Sequence, residues 1–347
     1  MNVLVTGAGG RIGRTLVAAL AERGDKVRCL VMRQDPAARQ LAALGPAVQV
    51  FYGNLEYYPE VEPAVAGAEA VVHLGAAMGS FTDYQFFEAN VRGTFHVLQA
   101  IRRVAPGIRR FVFPSSDAVY EKYVPGGLRS PINPDITPRD GKGIYALSKI
   151  LGEEMCWSYL RTYDVPTTVL RFPIARVADE LPDFYELWLD GLLGYKRGQR
   201  GRDAEAGRAV EILEGLQRQV GDVRHLVVAR DEFGQPYQRV YVDVRDVVQA
   251  LLLVLEKDAA VGQAFPVAGK DQPVTADRIV PYLAGKLGAP YFDVNLPGIP
   301  TLYAHDGRKT AALLGYAPRY DVFAMIDEAV ARRGSSGQPS PVAGARA

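Results

Sequence analysis

The segment Thr6-Gly7-Ala8-Gly9-Gly10-Arg11-Ile12-Gly13 constrains this chain more than any other. It follows a short run rich in β-branched residues, Asn2 to Thr6, and opens a stretch where Ile12, Leu16, Val17 and Leu20 recur at helical spacing. Gly7 permits a tight turn, Gly10 lets the backbone approach a pyrophosphate at the helix N-terminus, and Gly13 lets the helix pack close to the strand. Arg11 and Ile12 would stand at the phosphates with them. A glycine-rich loop can also be a plain surface turn. Its place between a strand and an amphipathic helix is the context that a dinucleotide-binding loop requires.

The same alternation of strand and helix continues through the first half of the chain. Strands are expected at Asn2 to Thr6, Lys26 to Met32, Val48 to Tyr52, Ala70 to Leu74, Arg110 to Pro114 and Thr167 to Phe172. Several are apolar throughout, as strands buried on both faces are. The pattern predicts an α/β protein, a Rossmann-type doubly wound parallel sheet with a smaller, interleaved C-terminal substrate lobe. Residues 1–173 would form the dinucleotide-binding domain, with 239–256 returning to it as a strand-helix unit. The lobe would take 174–238 and 257–333, with helices at 206–220 and 279–287. The Gly, Ser, Pro and Ala-rich tail, 334–347, is expected to be disordered.

Composition narrows the partners. Lys and Arg number 40 against 39 Asp and Glu, a net charge of +1. That gives no global field to attract nucleic acid or an anionic membrane, so a small-molecule substrate is expected. Cys29 and Cys156 lie in apolar patterns without metal-ligand spacing, which predicts reduced core cysteines and no metal site. No basic leader follows Met1, and no run of about 18 apolar residues occurs. A cytoplasmic protein is the expectation.

The end of the second strand reads Leu30-Val31-Met32-Arg33, where an acidic residue commonly holds the adenosine ribose hydroxyls. No carboxylate occurs before Asp35, and Arg33 could pair with a 2′-phosphate. NADP is therefore expected ahead of NAD. Further on, Tyr145 and Lys149 are four residues apart and share a helix face. A nearby positive charge favours the phenolate, making the pair a plausible acid-base unit, although an exposed helix face would show the same spacing. Phe111 to Ser116 is an apolar strand ending in hydroxyls at the edge where open α/β sheets bind ligands. Ser116 could donate to a substrate oxygen; a strand-to-loop cap is the alternative.

With these residues in order, the chain resembles the extended short-chain dehydrogenase/reductase family, the NAD-dependent epimerases/dehydratases. The matching segments are the glycine loop, Val72 to Ala77, Asn90 to Thr94, Ser115 to Tyr120, Tyr145 to Lys149 and Leu170 to Phe172. The resemblance implies that Tyr145 is the general acid or base. It implies that Lys149 lowers its pKa and bonds the nicotinamide ribose, and that Ser116 orients the reacting oxygen. Leu74, Gly75, Ala76 and Phe172 would line the cofactor, Asn54 and Leu55 would sit near its adenine, and Asn90 would stand behind the site. A homodimer through helices near 86–104 and 145–162 is also implied.

Departures from the family pattern bear on the reaction. Asp117 and Ala118 stand where 4,6-dehydratases carry an acid pair, so one required group is missing. Asp117 remains a candidate substrate contact. Ile174 replaces an asparagine that holds the nucleotide diphosphate in many sugar-nucleotide enzymes, while Arg239 falls where such enzymes keep an arginine. Three readings stay open: an epimerase-type enzyme of a sugar or nucleotide sugar, a reductase or dehydrogenase of a non-nucleotide carbonyl or alcohol, and a non-catalytic dinucleotide sensor.

Overall fold

Seven parallel strands form the central sheet: β1 (Asn2–Thr6), β2 (Lys26–Val31), β3 (Val48–Tyr52), β4 (Ala70–His73), β5 (Arg110–Ser116), β6 (Thr167–Phe172) and β7 (Ala264–Pro266). Their spatial order is β7-β6-β5-β4-β1-β2-β3. The computed structural model describes residues 1–199, 201 and 203–336. Strand order reverses between β1 and β4, and ligands of open α/β sheets bind at the carboxyl edge of that switch point. In register, Thr6 lies opposite His73, and Ser116 opposite Phe172.

Helices cover both faces because the strands are apolar on both. The Arg11–Glu22 and Val244–Glu256 helices close one face with Leu16, Leu20, Val247 and Leu251, all fully buried. The Gly93–Val104 and Ile144–Tyr163 helices close the other with Val97, Leu98, Ile101 and Cys156. Each such Leu, Ile or Val contributes about 1.5–3 kcal/mol of transfer free energy. Cys29 and Cys156 are both buried and free.

Three expectations need correction. The seventh strand, β7, falls in the stretch assigned to the lobe; three residues ending in proline give no run that sequence periodicity could register. Leu314 and Tyr316 also join the core beneath the sheet. The 239–256 unit returns only as its helix, since Gln238–Arg239 and Tyr241–Asp243 pair in separate two-stranded sheets with Val274–Thr275 and Ile174–Arg176. In the tail, 334–336 continue the helix Val322–Ser336, and 337–347 lie outside the described residues.

The lobe has its own cores. One gathers Trp188, Leu226, Ile279 and Ile326; another gathers Leu192, Leu213 and Tyr237 beneath the helices Leu189–Gly198 and Ala206–Val220. Among the described residues, no helix is long and apolar enough to cross a membrane.

Candidate active site

The glycine loop has the geometry that its sequence requires. Gly7 adopts φ +63°, and a Cβ on it would lie 2.7 Å from the Gly75 nitrogen. A Cβ on Gly13 would lie 2.4 Å from the Gly7 carbonyl oxygen. Both contacts are with backbone, which cannot swing aside. Side chains are thus excluded from a cradle at the N-terminus of the Arg11–Glu22 helix, a position suited to an anionic diphosphate.

That cradle opens into a cleft of ≈ 390 Å³ between sheet and lobe. Arg11, Ile12, Leu74, Ala76, Ser116, Asp117, Tyr145, Lys149 and Phe172 all line it, so the structure gathers nine of the sequence candidates around one space. Gly75 and Asn90 stand just behind. Asn54 and Leu55 do not border the cleft; Asn54 accepts from the Glu56 amide, and Leu55 packs on Gly75.

A chain of buried hydrogen bonds ties the strand that precedes the glycine loop to the helix that carries Tyr145 and Lys149. Gly75 N–H donates to Thr6 Oγ1 (3.0 Å), which meets His73 Nδ1 at 2.8 Å. His73 Nε2 meets Thr94 Oγ1 at 3.1 Å, and Thr94 donates to the Asn90 carbonyl at 2.5 Å. The Asn90 amide then donates to Ser148 Oγ (3.0 Å), and Ser148 donates to the Tyr145 carbonyl (2.8 Å). Asn90 faces inward from a π turn, Phe87–Arg92, where the sequence predicted uninterrupted α-helix; such turns recur at functional sites.

His73 stays neutral at the centre of this chain. Burial, assisted by the Lys149 charge, lowers its pKa from 6.5 to about 3. Between those values the unfolded chain binds the proton that the folded chain refuses, so stability falls as pH drops from about 6.5 towards 3, by about 1.4 kcal/mol per pH unit from this group. Urea unfolding across that range should show the slope, and His73→Gln should remove most of it. Equal slopes in the two proteins would dismiss His73 as the cause.

The candidate acid-base pair differs from expectation in one respect. Tyr145 is pushed up to about 12, chiefly by burial, with hydrogen bonding to Ser116 offsetting part of the rise. Lys149 does not depress it. The lysine donates to the Pro114 carbonyl at 3.0 Å and stands 5.2 Å from the Phe113 ring centroid, and burial lowers it to about 8. Sequence spacing puts the two residues on one helix face; it is silent about a carbonyl on β5 that captures the ammonium. Ser116 Oγ accepts from the Ala118 amide at 3.1 Å and so remains at the cleft edge.

Neighbouring charges are committed elsewhere. Asp117 is buried against Lys122, with His305 Nε2 3.3 Å away. Burial opposes its ionisation, but the Lys122 and His305 interactions prevail and hold its carboxyl at about 2. Arg239 does not line the catalytic cleft: it is buried in an ion pair with Glu186. Arg33 is 71% exposed and pairs with Glu60 at 2.7 Å. Asp35, by contrast, points back over the loop, and a Cβ on Gly9 would lie 2.0 Å from its Oδ2.

Sequence reasoning missed Glu153 and Arg171 behind the site. Glu153 accepts from Ser115 Oγ (2.6 Å), from Arg171 Nε and Nη2 (2.9 and 2.7 Å) and from Arg139 (3.0 Å). Arg171 also reaches Tyr120 and the Pro134 carbonyl. A charged residue within the wholly buried strand β6 was the available signal, since buried charges come paired. Among the described residues, no cluster of His, Cys, Asp or Glu could hold a metal ion.

Sheet, cradle and the Ser116-Tyr145-Lys149 cluster define a dinucleotide-binding protein of the short-chain dehydrogenase/reductase class. The NAD dependent epimerase/dehydratase family matches residues 3–174. A short-chain dehydrogenase/reductase superfamily protein from Agrobacterium tumefaciens, solved with bound NAD, superposes with TM-score 0.82 and 31% identity over 97% of this chain and 98% of its own. The chain belongs to this family. UDP-glucuronic acid 4-epimerase from Bacillus cereus shares the fold at TM-score 0.70 and 19% identity, over 96% and 99% of the two chains. Among curated relatives, a ketoreductase from Stigmatella aurantiaca is 40% identical over 34% of each chain, and uronate dehydrogenase from Pseudomonas syringae is 29% identical over 49% of this chain and 58% of its own. The matches thus span about a third to three fifths of these relatives' length.

Proposed function

We propose that the protein is an NAD-dependent dehydrogenase or reductase acting at a hydroxyl or carbonyl carbon of a small sugar-like substrate without a nucleotide handle. The observation that carries this reading is the buried ion pair of Arg239 with Glu186. It engages the guanidinium that the family resemblance places at a nucleotide diphosphate, while Ile174 offers nothing polar in its stead. Dehydration is disfavoured too, because Asp117 is held as a carboxylate by Lys122 and has no proton to give at neutral pH. The names of the relatives, ketoreductase and uronate dehydrogenase, agree with simple redox chemistry on a carbonyl or a sugar acid.

A bound nicotinamide would supply the hydride acceptor or donor. Tyr145 moves the proton at the reacting oxygen, and Ser116 hydrogen-bonds that oxygen. A phenol raised to about 12 stays protonated at neutral pH, ready to donate to a developing alkoxide. In the oxidative direction Lys149 must bring its charge towards Tyr145 to help the phenol release its proton. To test the reading, the protein is incubated with NAD and free sugars, sugar acids or UDP-sugars. Net NADH formation with a free sugar or sugar acid is expected. Conversion of a UDP-sugar with unchanged cofactor would establish an epimerase instead.

For the cofactor, the placement of Asp35 supports NAD over the NADP that the sequence suggested. A 2′-phosphate beside Gly9 would face the Asp35 carboxylate, and Arg33 is turned to Glu60. Fluorescence titration should show NAD bound at least about tenfold more tightly, a difference of about 1.4 kcal/mol, and Asp35→Ala should narrow the gap. A wild-type preference for NADP would refute this assignment. We also propose the homodimer, on the exposure of Phe87, Phe95, Leu147 and Tyr163 along the two helices concerned; sedimentation decides it.

A further inference from the structure

Beyond the catalytic cleft lies a second cavity of ≈ 200 Å³, and Ala118, Lys122, Tyr123 and Tyr195 line both spaces. Tyr123 and Tyr195 border both spaces and interact with each other, which makes this pair the partition. On the far side stands Lys196, carried by the helix Leu189–Gly198.

Lys196 is 2% exposed, yet it has few partners. Its Nζ donates to the Ile299 carbonyl at 3.3 Å and stands 5.5 Å from the Tyr237 ring centroid. An ammonium carries three donors. Among the described residues, no carboxylate lies within ion-pair distance of it. The attraction of Asp203 reaches it, but the Asp203 oxygens already accept from the Glu205 and Ile299 amides at 3.0 and 2.8 Å. Other buried cations are matched: Lys122 by Asp117, Arg171 by Glu153, Arg239 by Glu186. Lys149 shares the unmatched condition, and Lys149 serves the reaction.

Burying an unpaired charge is costly, and a chain that keeps one beside a cavity gains when a ligand supplies the counter-charge. We infer that this second cavity receives an anionic group of the substrate, a carboxylate or a phosphate, and that Lys196 binds it. The inference rests on the dehydrogenase reading for the location of the reacting carbon: that carbon lies at Tyr145, and the anionic end reaches past Tyr123 and Tyr195. Lys142 borders the same space but is exposed and pairs with Glu121, so the uncompensated charge is that of Lys196.

The test uses the full chain and Lys196→Met, which keeps the length of the side chain and removes the charge. Without ligand, the variant should melt about 2 °C or more above wild type, because a desolvation cost disappears. Calorimetric titrations then compare galacturonate, inorganic phosphate and neutral galactose, each with and without NAD. Wild type should bind one of the two anions at least about tenfold more tightly than galactose, a gap of about 1.4 kcal/mol, and the variant should lose that advantage. Which anion wins tells carboxylate from phosphate. A lower melting temperature in the variant would make Lys196 a structural residue and overturn the proposal. So would equal binding of charged and neutral probes by wild type, or an anion preference that survives the substitution. Failure to bind NAD would count against the dehydrogenase reading alone.

Discussion

Tyr145→Phe is expected to lower kcat by about 10³-fold, the usual scale for one positioned acid-base group, while leaving NAD affinity unchanged. The substitution removes a hydroxyl and little else. The ring remains in its edge-to-face contact with Phe86, 5.9 Å between centroids, and the glycine cradle lies on another element. The Ser148 bond to the Tyr145 backbone carbonyl also survives, so the first turn of the catalytic helix keeps its anchor to Asn90. Steady-state kinetics with the best substrate of the panel, alongside cofactor titration, separates the two effects. Turnover within tenfold of wild type would reject Tyr145 as the proton-transfer group; a parallel loss of NAD binding would mean that the phenol serves the cofactor.

Arg171→Met should cost about 3–5 kcal/mol of stability, the range for breaking a buried ion pair from one side. Glu153 is fully buried, and Arg171 supplies two of its hydrogen bonds as well as the matching charge. Without the guanidinium, the carboxylate keeps Ser115 and Arg139 among the described residues, and the Tyr120 hydroxyl and Pro134 carbonyl lose this donor. The double variant Glu153→Leu/Arg171→Met removes both charges and should recover a large part of the loss. Denaturant unfolding of the four proteins measures the coupling. Additive losses would show that the pair is not an interacting unit. Because the network ties Ser115 on β5 to the helix bearing Tyr145 and Lys149, Arg171→Met should also depress turnover more than its residual folded fraction explains.

The two predictions rest on residues of unequal legibility. Tyr145, Lys149 and Ser116 could be picked from the chain because local spacing, four residues on a helix and two hydroxyls at the end of an apolar strand, coincides with short segments that resemble the family's motifs in order. Glu153 and Arg171 are 18 positions apart in different elements, and no local period links them. Asp117 could be noticed next to Ser116, but its partners come from Lys122 and from His305, far along the chain. Arg33 and Asp35 show the converse. Composition at the strand end suggested the arginine as the cofactor contact, whereas the fold turns it to Glu60 and lays the carboxylate over Gly9.

Taken alone, the sequence determined the features that depend on local periodicity and backbone permissiveness. These are the glycine cradle, six of the seven strands of the central sheet, the helices that cover them, and the gathering of Ser116, Tyr145 and Lys149 at the carboxyl edge. Only the tertiary structure decided the state of the charges: the ammonium of Lys149 on a strand carbonyl, Arg239 closed by Glu186, Asp117 locked by Lys122, and Lys196 buried with no carboxylate at ion-pair distance among the described residues. The reason is physical. A backbone conformation is chosen among neighbours in the chain, but the energy of a charge depends on which distant groups replace the water that it loses on folding.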